Sequence, residues 1–424
     1  MSSQLDLPVA IVGAGLAGLC CAKSLHAAGK QFVLLDAGQE VGGRVATDHL
    51  DGFLLDRGFQ VLLTAYPEAQ RQLSYDHLGM KSFRSGSLIR LPQSTTQLTD
   101  PWREPLRGIA SLFSPILTLA DALRMAILRM RLLRDRLGSS KTASEVLDSA
   151  RISPRLRRVF FEPFFGGVTL DRELGVPADY FAFLFRMFAE GDAALPMGGM
   201  GAIPRQLADA LPAEAVRLGQ RVVSLEADHV ALADGHRIDA AAVVVATDGR
   251  SAHQLAGTPD PEGWNSTTTL YFAAQKPPIA EPTIMLDGVG DGPALHMCVP
   301  SNVQPSYAPA GQSLVSVSVL GLPSQGDDEL LMARVCDPLA GWFGDEVTAW
   351  RHLRTYRIPY AQPRIPSTAP GLARAGVREI RPGLLVCGDH LATPSIQGAM
   401  LSGRRAAEAL LASAELEPAE RWSS

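Results

Sequence analysis

The sequence predicts an α/β fold. A parallel, doubly wound nucleotide-binding sheet is assembled from separated stretches of the chain, with an α+β domain and a helical insert set against it. Three observations carry this. Apolar runs at 9–12 and 32–35 bracket a helical pattern over 16–28, with Gly13, Gly15 and Gly18 at the first turn. A fully apolar run, 240–246, ends in Thr247-Asp248-Gly249, as a buried parallel strand beside a nucleotide does. A further apolar strand over 383–387 ends in Gly388-Asp389 and leads to a helix over 400–412.

Each part of the first unit has a physical task. Gly13 permits a tight turn, Gly15 lets a pyrophosphate approach the backbone, and Gly18 lets the helix pack close to the sheet. The helix start, with Ala14 and Ala17, offers free N–H groups and partial positive charge to phosphates. Asp36, followed by Ala37, closes the second strand and can accept hydrogen bonds from a ribose diol. A glycine-rich turn in an ordinary α/β domain would not bring strand, helix, second strand and acid together in this order.

Downstream, 48–66 reads as hairpin material, with a turn at Asp51-Gly52 and a second strand-like run at 59–63. Pro67 opens a helix at its first position. Short strands follow over 82–98, and the first domain boundary falls near Met80. Ser114-Pro115 reads as an N-cap and first helical position. Ile116, Leu119, Ala120, Leu123, Ile127, Met130 and Leu133 then recur at helical spacing. The opposite face carries Arg124, Arg129, Arg131, Arg134 and Arg136 against Asp121 and Asp135. Packing of the apolar stripe on a core is the expectation; the alternative is a helix lying in a membrane interface.

Thr142 and Glu145 form a capping box. Eight phenylalanines between Phe160 and Phe188 then concentrate in a chain that is only 6% aromatic. They form core packing or the roof of an apolar cavity. Segment 195–204, Leu-Pro-Met-Gly-Gly-Met-Gly-Ala-Ile-Pro, runs into a short amphipathic helix. Strands are expected over 215–226 and 230–238, with half-exposed antiparallel strands at 267–274 and 314–320 and another over 347–357.

Composition narrows the function. A net charge of −5 gives no general attraction to nucleic acid. The five cysteines make no CxxC or metal-type spacing, and none falls between Arg44 and Arg84, which removes the dithiol reductases. No metal is expected. The short polar start and the lack of a spanning apolar run point to a cytoplasmic protein, with peripheral membrane contact through about 105–137 left open. Oligomeric state is not legible.

With the fingerprint in place, Glu40-Val41-Gly42-Gly43-Arg44 and Gly52-Phe53-Leu54-Leu55-Asp56-Arg57-Gly58 resemble the flavin-containing amine oxidase superfamily. That superfamily includes protoporphyrinogen oxidases, phytoene desaturases and carotene isomerases. The resemblance is specific over 1–60, 195–250 and 380–412, and architectural between. It implies a discontinuous Rossmann-like FAD-binding domain of the GR2 type over 1–80, 195–255 and 375–424. The substrate domain is implied over 81–194 and 256–374, with the helical insert at about 105–190. It implies Gly42, Gly43 and Arg44 along the FAD pyrophosphate, and Gly58 and Phe59 beside the flavin. Val222 or Val223 meets the adenine, Thr247 flanks the cofactor, and Gly388 and Asp389 sit at the ribityl-pyrophosphate. The helix start, Ser395, Ile396, Gln397 and Ala399, points at the isoalloxazine, where a helix N-terminus stabilises the negative charge of reduced flavin.

The implied activity is FAD-dependent dehydrogenation of an apolar or amine-type small molecule by hydride transfer to flavin N5. A lipophilic porphyrinogen- or carotenoid-like substrate is favoured. No catalytic residue is evident; Lys276, Tyr356 and Gln60 are candidates, with Arg357 and Tyr360 near the ring. No cysteine flanks Pro359, so the FAD is expected to be non-covalent. A flavin-dependent isomerase, an NAD(P) enzyme and a non-catalytic FAD-binding or assembly protein remain the alternatives.

Overall fold

A computed structural model describes residues 7–111, 114–134, 137, 141–261, 263–290, 292–323, 327–366 and 376–415. Its first sheet has six strands in the order Val216–Arg217, Phe32–Leu35, Val9–Val12, Ala242–Val245, Leu384–Cys387, Val377–Arg381. The first five run parallel and the last is antiparallel. Four of these strands are buried at every position, because helices or loops cover both faces. The helix Leu16–Ala27 packs on the C-terminal helix Ile396–Glu415 at backbone contact. A Cβ on Gly403 would lie 1.9 Å from the Ala17 carbonyl oxygen, so only glycine permits this approach.

The second sheet has seven strands in the order Arg351–Pro363, Trp264–Ala274, Ser313–Leu320, Ala294–Cys298, Ile284–Asp287, Ser87–Leu91, Ser94–Leu98. Its strands are less exposed than their alternation implies. Ser313–Leu320 is buried at all but its last position, because Leu331, Val335 and Leu339 of the helix Asp328–Phe343 cover one face. The hairpin Thr47–Leu50 and Phe53–Asp56 turns at Asp51 and Gly52, both at positive φ. The strand expected over 59–63 shrinks to Leu62–Leu63, which pairs with Ala193–Leu195; that strand also pairs with Lys81–Ser82. Asp56 at the hairpin's end is buried. It accepts hydrogen bonds from the Thr47 hydroxyl (2.5 Å), the Met200 N–H (2.8 Å) and the Tyr307 hydroxyl (2.8 Å).

The helical insert packs around its phenylalanines. Phe165 meets Phe161, Phe164, Phe181, Phe185 and Phe188 at ring separations of 4.8–6.2 Å. The Arg-rich helix departs from expectation twice. It begins at Leu119, capped by Thr118, whose hydroxyl accepts the Asp121 N–H at 3.0 Å; the Ser114 hydroxyl bonds that of Thr96 instead. Its apolar stripe also faces outward: Leu119, Leu123, Ile127 and Met130 are 81, 64, 43 and 50% exposed. Asp121, Leu128 and Leu132 are buried in its place. Polar ties fix this rotation. The Asp121 carboxylate takes the Thr118 and Ser153 hydroxyls at 2.8 and 3.0 Å. Arg129 pairs with Asp100 at 3.0 Å and stacks on Trp102. The core reading of the stripe is therefore corrected; Asp135 and Arg136 lie outside the described residues.

Candidate functional site

A cavity of about 710 Å³ runs between the two sheets and is walled by the motifs the sequence singles out. At its floor, Gly13 adopts φ +110°, and a Cβ there would lie 2.9 Å from the Ala246 carbonyl oxygen. A Cβ on Gly15 would meet no protein atom within 4 Å, so open cavity lies above this backbone. The Gly42 N–H donates to the Ala14 carbonyl at 2.8 Å, which lays the second glycine pair beside the first loop. Gly42, Gly43, Ala17 and Ala37 all line the cavity; Ala14 and Gly18 are framework behind it. The Asp36 carboxylate accepts the N–H groups of Ala14 (2.6 Å) and Gly38 (2.7 Å), holding the loop while lining the cavity.

Val222 reaches the cavity, whereas Val223 is 54% exposed. A register shift between Val222 and Ser224 bulges the strand and turns Val223 out. Thr247 lines the same end. Arg44 joins distant segments: its guanidinium donates to Asp389 Oδ1 at 2.6 Å and to the Ala361 carbonyl at 2.9 Å. Gly388, at φ +149°, donates its N–H to the Ser402 hydroxyl at 2.6 Å. The Ser395 hydroxyl accepts the Gly398 N–H at 3.0 Å, capping the C-terminal helix. Ser395, Ile396 and Ala399 line the cavity, but the Gln397 side chain turns away to accept the Glu68 N–H at 2.8 Å. The cradle of bare glycine backbone, open space and helix starts fits a bound dinucleotide.

Gly58, Phe59 and Gln60 form the next part of the wall. The Gln60 amide donates to the backbone carbonyls of Arg44 (2.9 Å) and Arg57 (3.2 Å). Its amide nitrogen is thus tied to the backbone while the residue lines the cavity. Neither other catalytic candidate reaches the cavity. Lys276 is exposed just beyond the strand Trp264–Ala274. The Tyr356 hydroxyl donates to Asp48 at 2.6 Å, outside the cavity lining. Arg357 pairs with Asp328, and Tyr360 is 42% exposed beneath the Arg250 guanidinium. Along this strand Ile358, Ala361 and Gln362 face the cavity instead.

Sequence reasoning missed three cavity side chains. Tyr180 is buried and donates to the Pro394 carbonyl at 3.1 Å, and Tyr66 is buried beside it on the wall. Burial raises both phenols' pKa, so they stay protonated. His296 lies on a buried strand with its ring edge toward Phe59, 5.6 Å between centroids. Burial pushes its pKa down to about 4, so the imidazole is neutral. No motif marks these positions; only the aromatic density around Tyr180 gave a signal. Among the described residues, no cysteine lines the cavity.

Over residues 16–411 the chain matches the family model described as flavin containing amine oxidoreductase. A phytoene dehydrogenase of Streptomyces griseus is 27% identical over 289 residues, 59% of this chain and 56% of that protein. A putrescine oxidase of Kocuria rosea is 34% identical over 101 residues, 23% of this chain and 20% of that protein. The matches thus span about half or less of these relatives' length. An oxidoreductase structure from Methanosarcina mazei superposes with TM-score 0.76 at 18% identity, covering 95% of this chain and all of the other. Reduced UDP-galactopyranose mutase superposes with TM-score 0.66 at 15% identity, covering 96% of each. These structural likenesses establish the fold. With the family match covering nearly the whole chain and the dinucleotide cradle in place, the chain belongs to the flavin-containing amine oxidoreductases, with FAD as its cofactor.

Proposed function

We propose that this chain dehydrogenates an apolar small molecule, porphyrinogen- or carotenoid-like rather than an amine, by hydride transfer to non-covalently bound FAD. One observation carries the choice: where the carboxylates of the cavity stand. A protonated amine needs an anion beside it. Among the described residues, Asp36, Asp248 and Asp389 are the acids in the lining, and each is engaged. Asp36 holds the glycine loop, Asp248 caps the helix Gly249–Ala256, and Asp389 pairs with Arg44. The wall beyond Phe59 is instead formed by Phe164, Val168, Phe188, Ile284, Leu295 and Ile358. A neighbouring apolar cavity of about 210 Å³ under the helix Leu119–Leu133 shares Phe164, Phe188 and Ile284 with it.

Bound in the cradle, FAD supplies the hydride acceptor. The chain's own contribution is to hold and shield. Gly15 and Gly43 present bare backbone to the pyrophosphate. The Arg44–Asp389 pair fixes the two ends of the cradle, and the capped helix start directs N–H groups into it. The phenylalanine wall keeps water from the reacting carbon. The test is the flavin absorbance of the purified FAD-loaded protein under anaerobic conditions. Bleaching by a porphyrinogen or polyene precursor and not by putrescine is expected. Bleaching by the diamine would overturn the choice, and absence of bleaching by any of them would favour an isomerase or a binding role.

The outward stripe favours a membrane as the substrate's source. Leu119, Leu123, Ile127 and Met130 are joined by Trp102, 56% exposed and stacked against Arg129 of the same helix. Arg124, with 40% of its side chain exposed, sits beside Leu123. An apolar face with adjacent cations suits an anionic bilayer. The chain is expected to float with vesicles containing anionic lipid, and Leu123→Ser with Ile127→Ser to remain below. Equal flotation of the two proteins, or none by the parent chain, refutes this source.

A further inference from the structure

We propose that the two cavities are one extended site, joined through a side-chain gate at Phe164 and Phe188, and that it takes a long apolar chain rather than a compact ring system. The inference deepens the function proposed above and rests on the larger cavity holding substrate beside FAD. The smaller cavity, about 210 Å³, and the larger one have Phe164, Phe188, Ala193 and Ile284 in common. Each of the four is half-buried, with open space on two sides. Side chains therefore form the partition. The Phe164 and Phe188 rings meet there edge-to-face, 5.0 Å between centroids. Packing alone opposes the turning of a phenylalanine ring, and packing is incomplete where the ring borders two voids. The backbone beneath Phe164 is also irregular. A π-helical turn, Arg157–Phe161, leads into the helix Glu162–Thr169, where Pro163 lacks a backbone donor. Single π-turns inside helices recur at functional sites. Past this turn Phe161 stays in the core, whereas Phe160 and Phe164 stack 5.5 Å apart along the smaller cavity. Phe165, Phe185, Leu117 and Met125 complete its apolar interior. Two ion pairs on its rim, Arg103 with Asp192 and Arg129 with Asp100, are satisfied within the chain. Ala122 and Met125 set this cavity under the helix Leu119–Leu133, so the passage runs from beneath the outward stripe toward the cradle. An opening made by turning two rings admits a chain end-on and stops a macrocycle.

The experiment titrates the FAD-loaded full chain with 4-alkylphenols whose straight tails run from three to twelve carbons, with binding read from perturbation of the flavin spectrum. In the unaltered protein, affinity is expected to rise about fourfold with each methylene into the long tails. That reading does not depend on any variant folding. Ala122→Phe and Ala189→Phe fill the smaller cavity from two different helices. Both are expected to stop the rise at a shorter tail and to bind the propyl compound as before. Phe188→Ala removes one leaf of the gate and is expected to speed association of the longest tail and not of the shortest. A series that levels off at the short tails in the unaltered protein, or at one tail length in it and both filled variants, overturns the shared site and leaves the larger cavity standing. Equal association rates in Phe188→Ala and its parent overturn the gate. If no phenol of any length perturbs the flavin, the larger cavity is not an apolar ligand site, and the function proposed above falls with the inference.

Discussion

Gly15 and Gly18 stand three residues apart, and the structure gives them opposite consequences on replacement by alanine. Gly15 has φ −75° and ψ −179°, a conformation alanine adopts freely, and its added methyl would touch no protein atom within 4 Å. The FAD-free chain should therefore keep its stability to within about 1 kcal/mol. The methyl would instead stand in the open space where the pyrophosphate meets the helix N-terminus. Losing two charge-assisted hydrogen bonds there costs roughly 3 kcal/mol, a weakening of FAD binding on the order of 100-fold. Gly18→Ala is the mirror case. Its Cβ would lie 1.8 Å from the Gly13 carbonyl oxygen and 3.3 Å from Leu34, so helix and strand must separate. That overpacking should destabilise even the FAD-free chain by about 3 kcal/mol. The assays are urea unfolding of the FAD-free proteins and titration of each with FAD, followed by flavin fluorescence. A Gly15→Ala chain that binds FAD at wild-type strength, or that unfolds as easily as Gly18→Ala, would refute the assignment of the cradle.

Two further outcomes follow from buried charge. Burial raises the Asp56 pKa to about 6 in the folded chain, above the unfolded value of about 3.9, so its ionised form opposes folding. The penalty approaches about 3 kcal/mol above pH 6, shrinks as pH falls, and vanishes below the unfolded pKa. Asp56→Asn should flatten the rise in stability between pH 7 and pH 4.5, measured by urea unfolding of the FAD-free chain; identical pH slopes for the two proteins would count against it. Arg44→Met leaves Asp389, only 7% exposed, without its partner; with Arg44 itself 35% exposed, the expected cost is about 2 kcal/mol. Adding Asp389→Asn should recover part of that loss, and full additivity in this double-mutant cycle would deny the pair its coupling.

The nucleotide half of the fold is legible in the sequence because its signals are local. Gly13, Gly15, Gly18 and Asp36 lie within one β-α-β unit, and their spacing encodes their geometry. What the sequence hides is set by partners remote in the chain. The stripe at Leu119, Leu123, Ile127 and Met130 has the period of a buried face, yet Asp121's bonds to Thr118 and Ser153 and Arg129's pairing with Asp100 turn it outward. Val222 and Val223 are indistinguishable until the bulge assigns their faces. The Gln397 amide goes to Glu68, 329 positions earlier, and so leaves the site. His296 is a lone histidine on an apolar strand. Its burial beside Phe59 depends on a partner remote in the chain, which no sequence pattern records.

The Arg44–Asp389 bridge spans 345 positions, and the strand Leu384–Cys387 completes a sheet begun at Val9. This sets a calendar for biosynthesis. The glycine loop leaves the ribosome long before Gly388, Asp389 and Ser395, which wall the same cavity. Until then the helix Leu16–Ala27 lacks the surface it packs on, and its apolar face is exposed to premature contacts. Cofactor loading is expected to follow synthesis of the strand Leu384–Cys387 and the helix after it, and a nascent chain stalled before residue 384 should retain no flavin.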